Sequence, residues 1–199
     1  MNSCAHSAGH GNFVARIIRA GDRGSQIVEF ALSAPLLVLF VVGIFDFSGA
    51  LALKHKLANA AREGARVAAA DPANDLANTT AVPVSVSDAY QVFDNYLLSE
   101  KVNDCGLQGT SPTGAALTWT SPTLTGCQNN TGLVLTINRG CVQTQGVTLS
   151  QGTVPMGLVG TCVTVVYPYV WQFTSAAGLF SSFIGPTNIT TTAAAFNQN

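Results

Sequence analysis

Three residues near the start of the chain have the types and the spacing of a proteolytic processing site: Gly24, Ser25 and Glu29. Glycine has no side chain, so a protease can approach the peptide bond after Gly24 closely. A cut there would free the amine of Ser25, which lies one helical turn before the carboxylate of Glu29. That carboxylate can pair with the terminus of its own chain or of a neighbouring subunit. Either pairing would offset the cost of burying Glu29.

A membrane-length apolar run follows this junction. Residues 30–45 carry no charge, and Glu29 and Asp46 bound the run. The two acids are separated by about 25 Å along a helix, against a hydrocarbon core of about 30 Å. Both carboxylates can therefore lie at the margins of a single span, where they cost less than at its centre. Pro35 lies inside the run and predicts a kink or a loosened helical turn.

The helical pattern continues beyond this run and is predicted to end at Asp71-Pro72. Small and apolar residues recur at three- and four-residue steps and predict one buried face, formed by Leu53, Leu57, Ala61, Ala65 and Ala68. The chain is thus divided into a cytoplasmic leader over 1–24, a transmembrane and extended amphipathic helix over 25–70, and an exported domain over 71–199.

The exported domain is predicted to be α+β. Residues 87–102 carry an apolar stripe at helical spacing, with Ser87 as the predicted N-cap. Beyond Cys105 the pattern changes to period-two alternation separated by Gly-rich and Ser-Pro turns. This alternation predicts an antiparallel sheet, with strands over 116–120, 132–138, 141–149, 161–167 and 187–195.

Four of the five cysteines lie in this domain, at Cys105, Cys127, Cys141 and Cys162. An even set beyond a membrane segment predicts two structural disulfides in an oxidising compartment. Four cysteines allow three connectivities, and the sequence leaves all three open. Each bridge is expected to stabilise the domain by about 3 kcal/mol. Because no Cys-x-x-Cys spacing occurs and no histidine follows His55, no metal site is predicted.

Composition argues against catalysis and against nucleic-acid binding. The formal net charge is −1, and Arg139 is the only charged residue after Asp104. A near-neutral chain lacks the basic surface that nucleic acids require. The domain has no histidine to act as a general base, and the chain has no nucleophile elbow, phosphate loop or dinucleotide fingerprint. We therefore predict no enzymatic activity and no cofactor, and we interpret the domain's carboxylates as a solvated helix face and its tryptophans as packing residues.

Four separated motifs together resemble the TadE-like family, the minor pilins or pseudopilins of the bacterial tight-adherence (Flp, type IVc) pilus. They are Gly24–Phe30 (Gly-Ser-Gln-Ile-Val-Glu-Phe), Ala31–Leu37 (Ala-Leu-Ser-Ala-Pro-Leu-Leu), Gly43–Phe47 (Gly-Ile-Phe-Asp-Phe) and Asn59–Arg66 (Asn-Ala-Ala-Arg-Glu-Gly-Ala-Arg). The resemblance covers roughly residues 23–70, with a looser likeness at the end of the chain.

This resemblance implies a pilin-like fold, a single pass of the bacterial inner membrane, and a periplasmic or extracellular C-terminal domain. It also implies that a prepilin peptidase cuts after Gly24, and that Glu29, the fifth mature residue, serves processing or assembly. The implied partners are that peptidase, other pilins, inner-membrane pilus assembly proteins and membrane lipid. The implied role is assembly of a pilus used in adhesion and surface attachment.

Two other interpretations remain open from the sequence. Residues 30–45 also fit the apolar core of a secretory signal peptide, with Ala50-Leu51-Ala52 as its cleavage site. Mature chains would then begin at Leu53 rather than at Ser25. Alternatively, the apolar helix permanently anchors a periplasmic binding or scaffold module that never enters a pilus. Charge does not decide the orientation, because three arginines precede the run and two lysines and two arginines follow it.

Overall fold

The α+β class is confirmed by a computed structural model, which describes residues 11–72, 74, 76, 81–149, 152–172 and 187–198. The chain divides into two units, Met1–Phe45 and Asp46–Asn199. Helix α1 (Gly11–Ala70) supplies the described part of the first unit and continues into the second. The second unit also contains helix α2 (Val84–Ser99), the sheet and one short 3₁₀ helix at Gln128–Asn130.

Helix α1 ends where the sequence predicts and starts earlier than predicted. Its last residue is Ala70, directly before Asp71-Pro72, because a proline lacks the N–H that a continuing helix needs. Its first described residue is Gly11 rather than Ser25, so part of the predicted leader is helical. The helix also continues through Pro35, since a missing N–H removes one hydrogen bond of the ladder and leaves the others in place.

The sheet has five antiparallel strands in sequential order. Its strands are β1 (Thr113–Ala115), β2 (Thr118–Thr120), β3 (Val134–Leu149), β4 (Gly152–Tyr169) and β5 (Thr187–Phe196). Strand β3 pairs with β4 along its whole length, whereas β5 pairs only with Gly160–Tyr169 of β4. The rest of this pair, Val142–Leu149 of β3 with Gly152–Val159 of β4, is therefore a two-stranded ribbon.

Four features of the sheet differ from the predicted strands. The predicted strand 161–167 is only part of β4, which begins at Gly152, because Pro155, Gly157 and Gly160 obscure the alternation of its first half. The predicted strands 132–138 and 141–149 form one strand, because a bulge between Asn138 and Cys141 bends the ladder without ending it. The predicted strand 116–120 is shorter, since Ala116 and Leu117 have positive φ and form the turn before β2. Strand β1 was missed because three residues are too few to show alternation.

Helix α2 begins one turn earlier than predicted. Its N-cap is Pro83, so Ser87 lies inside the helix and caps nothing. The extra turn carries Val86, which is fully buried, and burial of this side chain favours the longer helix. Ala89 and Phe93 of the predicted stripe are buried, while Val92 is only half-buried.

One hydrophobic core unites the second half of α1, helix α2 and the sheet. The predicted face of α1 is confirmed at Leu57, Ala61, Ala65 and Ala68, all of which are fully buried. Gly64 brings the two helices close together, because a Cβ at this position would lie 3.2 Å from the carbonyl oxygen of Ala89. The sheet contributes alternate residues of β3 and β4, namely Leu135, Ile137, Val163 and Val165, and Leu133, directly before β3, adds to them.

Candidate processing and assembly site

The predicted processing residues lie on the helical part of the first unit. Gly24, Ser25 and Glu29 are all exposed side by side on α1, and a Cβ at Gly24 would meet no atom within 4 Å. Among the residues that the structure describes, no ion pair involves Glu29. Glu29 is therefore open to a group from outside the folded chain, such as a new terminus or a neighbouring subunit.

The apolar side chains that follow Glu29 are also exposed. Apart from Val42, which is half-buried, the large side chains from Ile27 to Phe45 leave between 42% and 76% of their surface uncovered. The helix from Gly24 is long enough and apolar enough to cross a membrane, with a mean hydropathy of 2.4 over an 18-residue window. Exposed apolar surface on this scale marks contact with lipid or with other proteins. A single membrane span would therefore explain why the apolar side chains of this part of α1 are exposed to solvent in the fold.

Asp46, predicted to be a second acid at the margin of the span, is buried in the second unit and bonds to the end of β4. It exposes only 5% of its surface. Its Oδ1 accepts a hydrogen bond of 3.1 Å from the backbone N–H of Gln172, and its carbonyl oxygen accepts one of 3.3 Å from the hydroxyl of Tyr169. Burial and the charge of Asp46 raise the pKa of Tyr169, so its phenol stays protonated and can donate. We call this arrangement of Asp46, Tyr169 and Gln172 the Asp46 clasp.

An aromatic pair lies next to the Asp46 clasp. The rings of Tyr169 and Trp171 meet edge to face, with their centroids 5.3 Å apart, an arrangement that aromatic quadrupoles favour. The indole N–H of Trp171 donates a hydrogen bond of 3.0 Å to Thr187 Oγ1 at the start of β5. A small cleft of about 150 Å³, lined in part by Leu53, Tyr167 and Tyr169, opens beside the pair.

The four cysteines of the second unit form two sequential pairs. Cys105 is bonded to Cys127, with Cα atoms 4.5 Å apart, and Cys141 to Cys162, with Cα atoms 5.9 Å apart. The first bridge joins the loop after α2 to the segment before β3. The second joins neighbouring strands at the bulge of β3, where the two-stranded ribbon begins. Among the described residues there is no group of three or more metal-ligating side chains.

The carboxylates after α1 are not simply a solvated face. Asp94 on α2 is buried, and burial together with the charge of Asp104 and a hydrogen bond to it raises the pKa of Asp94. Asp104 accepts hydrogen bonds from the backbone N–H groups of Gly106 and Gln108, so it also shapes the loop that follows. This pairing holds the loop of Cys105 against α2, and the sequence interpretation missed it.

Replacing Asp46 with alanine should loosen the Asp46 clasp. Alanine removes the acceptor for the Gln172 N–H, and losing a hydrogen bond to a charged acceptor costs about 1.5–3 kcal/mol. Amide hydrogen exchange of the full chain in detergent should therefore accelerate at least about tenfold at residues 169–172. Asp46→Asn keeps an oxygen in place and should change exchange much less. Equal exchange in Asp46→Ala and the parent chain would show that the side-chain contact contributes nothing.

Sequence reasoning placed Asp46 at the margin of the predicted span and gave it no partner. Gln172 lies 126 residues away and Tyr169 123 residues away, so no local pattern links them to Asp46. The available signal was the Tyr-Pro-Tyr-Val-Trp segment at 167–171, whose hydroxyl and indole groups need hydrogen-bond partners when they pack. Phe173, also interpreted as a packing residue, lies outside the described residues.

Comparison with known proteins agrees with the resemblance found in the sequence. The model of a family described as TadE-like protein matches residues 24–66. That range includes the processing residues, the apolar run, Asp46 and most of the buried face of α1. No curated protein and no solved structure matches the chain.

Proposed function

We propose, from the premise that residues 24–66 are a TadE-like segment, that this chain is a minor pilin of a tight-adherence pilus. A prepilin peptidase cuts after Gly24, and the mature helix then joins or primes the pilus. The observation that carries the proposal is the exposed helical surface over 24–45, with an unpaired carboxylate at Glu29 and uncovered apolar side chains after it. Such a surface suits packing first in lipid and then against other pilin helices.

In the assembled state, Glu29 pairs with the amine of a Ser25. The two groups are four residues apart in one chain, or face each other between neighbouring chains. A carboxylate that enters an apolar bundle needs such a partner, because an unpaired buried charge is strongly destabilising. Pairing between subunits would fix the axial register of the helices, as single polar positions do in coiled coils. The protein acts by this packing and pairing, and it has no catalytic role.

The Asp46 clasp favours this proposal over a secretory signal peptide. A cut after Ala52 would remove Asp46 and leave the backbone N–H of Gln172 and the hydroxyl of Tyr169 without these acceptors. Tyr169 is buried, and a buried donor that loses its partner destabilises a fold by about 1–3 kcal/mol. Cleavage after Gly24 instead preserves every contact of the second unit. Mass spectrometry of the mature chain separates the two, because the pilin begins at Ser25 and the secreted protein at Leu53.

Replacing Glu29 with glutamine should leave the chain in the membrane and reduce its recovery in sheared pili. Glutamine keeps the shape of the side chain and removes the charge that binds the Ser25 amine. Breaking one buried pair costs about 3–5 kcal/mol, so incorporation should fall by at least about tenfold. The measurement is the ratio of pilus-bound to membrane-bound chain, by quantitative mass spectrometry in the native host.

Glu63→Gln is the matched control for this prediction. Glu63 lies on the same helix, pairs with Arg66 at 3.2 Å and remains about half exposed. Exposed pairs contribute at most about 1 kcal/mol, so this variant should incorporate nearly as well as the parent chain. If Glu29→Gln incorporates as well as Glu63→Gln, Glu29 has no role in assembly. A mature chain that is never recovered with pilus proteins would instead favour the anchored periplasmic module.

A further inference from the structure

The apolar surface of α1 does not stop at Asp46. Phe47 and Leu51, within the second unit, remain 59% and 42% exposed, and Asp46 itself is buried. The first exposed charge after Asp46 is Lys54, followed by the exposed His55. The exposed helix surface between Asp46 and Lys54 is therefore uncharged and partly apolar, although these residues belong to the second unit.

Helix geometry assigns a depth to this stretch, given the single span of the proposed function. The distance from Glu29 to Asp46 along the axis is about 25 Å, so a core of about 30 Å already includes both acids near its edges. The next eight residues, to Lys54, rise about 12 Å more, while each headgroup layer is about 6 Å thick. The helix from Asp46 to Lys54 thus crosses the headgroup layer and ends beyond it.

The end of β4 packs on this same stretch of helix. Tyr169 and Gln172 bond directly to Asp46, and a Cβ at Gly49 would lie 3.2 Å from the Tyr169 hydroxyl. Trp171 contacts Tyr169 edge to face and is only half-buried. Residues 167–172, Tyr-Pro-Tyr-Val-Trp-Gln, contain no charge. An uncharged, aromatic strand end is therefore held beside residues 46–49 of the helix.

We propose that this surface, formed by Phe47, Leu51, Val170 and Trp171, rests in the headgroup layer of a phospholipid bilayer before the chain enters a fibre. Tryptophan and tyrosine favour that layer because each has an apolar ring and a polar atom. Lys54 and His55 are exposed just beyond this layer, and the long side chain of a lysine can reach back to the lipid phosphates. The domain is thus fixed against the membrane by the Asp46 clasp and by its own aromatic edge.

Tryptophan fluorescence in proteoliposomes tests this inference, since the chain has only two tryptophans. Trp119→Phe leaves Trp171 as the reporter, and Trp171→Phe leaves Trp119, which is buried in the core. The full chain is reconstituted in phosphatidylethanolamine and phosphatidylglycerol that contain lipid with a spin label on its headgroup. We expect quenching of Trp171 to exceed that of Trp119 by at least about twofold, and to be independent of protein density.

A third reporter separates failure of this inference from failure of the membrane span. Phe40→Trp, placed near the middle of the run in a chain without the two native tryptophans, should be quenched by lipids brominated deep in the acyl chain. If Phe40→Trp is quenched and Trp171 is no more quenched than Trp119, the inference is wrong and the span stands. If Phe40→Trp is not quenched, both the inference and the membrane span of the proposed function are wrong. Loss of Trp171 quenching as protein density rises would mean that a second copy, rather than lipid, covers the surface.

Discussion

A chain carrying Gly24→Val should fold and insert as the parent chain does, yet keep residues 1–24. A Cβ at Gly24 would meet no atom within 4 Å, so the larger side chain has room on α1. Valine is also no worse than glycine in an exposed helix, where glycine costs about 1 kcal/mol relative to alanine. The substitution therefore leaves the helix intact and blocks the close approach of a protease to the peptide bond.

The measured quantity is the ratio of full-length to mature chain in host membranes, by intact mass. We expect at least about a hundredfold rise for Gly24→Val, equivalent to about 2.7 kcal/mol in the transition state for cleavage. Gly24→Ala, with the smallest side chain, should be cut more slowly than the parent chain but faster than Gly24→Val. This graded order distinguishes a steric block in the protease from any general effect on the helix.

Gly43→Val is the matched control, because a Cβ at Gly43 also meets no atom within 4 Å and lies on the same helix. It should be processed normally. Normal processing of Gly24→Val would contradict the proposed cleavage by a prepilin peptidase after Gly24. Impaired processing of Gly43→Val would indicate that the substitutions affect membrane insertion rather than cleavage. A chain that retains residues 1–24 should also be absent from pili, since the Ser25 amine that pairs with Glu29 is never formed.

Local patterns in the sequence predicted the elements better than the contacts between them. The end of α1 and its buried face follow from a proline and from a 3.6-residue period, both of which act within a few residues. The α+β class follows from the change of period after Cys105. The bulge of β3 was interpreted as a strand break because Arg139-Gly140 interrupts an apolar alternation, although the ladder continues past it.

The Asp46 clasp and the choice among three disulfide connectivities depend on how separate segments meet. The hydrogen-bonded partners of the clasp are more than 120 residues apart in sequence. The sequence of one segment can show that a side chain is buried and needs a hydrogen-bond or disulfide partner. Which residue becomes that partner is decided only when the whole core packs. The processing junction is different, because all of its residues lie within a single helical turn or two.

Arg139 is the residue whose importance the sequence made easiest to overlook. It is the only charged residue after Asp104, and we assigned it no role from the pattern. Yet Leu135, Ile137 and Arg139 alternate along β3, and all three are buried in the core, as is Leu133 directly before the strand. Continuing the period-two alternation by one more step would have placed this guanidinium inside the domain.

The buried side chain of Arg139 joins three distant parts of the second unit. It exposes 1% of its surface, and its two terminal nitrogens donate hydrogen bonds of 3.1 Å to Thr161 Oγ1 on β4 and 3.2 Å to the carbonyl oxygen of Asp71. A cation at this carbonyl also complements the negative end of the α1 dipole. Asn197 completes the cluster, because its side chain bonds both Thr161 and the carbonyl oxygen of Arg139.

Arg139→Met should destabilise the second unit by about 3–6 kcal/mol, because two acceptors lose a charged donor and each such hydrogen bond contributes about 1.5–3 kcal/mol. Methionine keeps much of the volume, so the loss comes mainly from Thr161 and Asp71, whose oxygens no longer receive the guanidinium. Arg139→Lys should fall between Met and the parent chain, since an ammonium lacks the planar fork that reaches two separate acceptors. Urea unfolding of the full chain in detergent, followed by Trp119 emission, measures the difference.

Arg66→Met serves as the control for Arg139, because Arg66 lies in the same unit with its side chain 73% exposed and only an i,i+3 pair with Glu63. Its loss should cost at most about 1 kcal/mol, as exposed ion pairs do. A loss of similar size in both variants would mean that the buried cluster adds no stability beyond a surface arginine. A much larger loss for Arg139 would show that the second unit depends on one interior cation, which ties the end of α1 to the sheet.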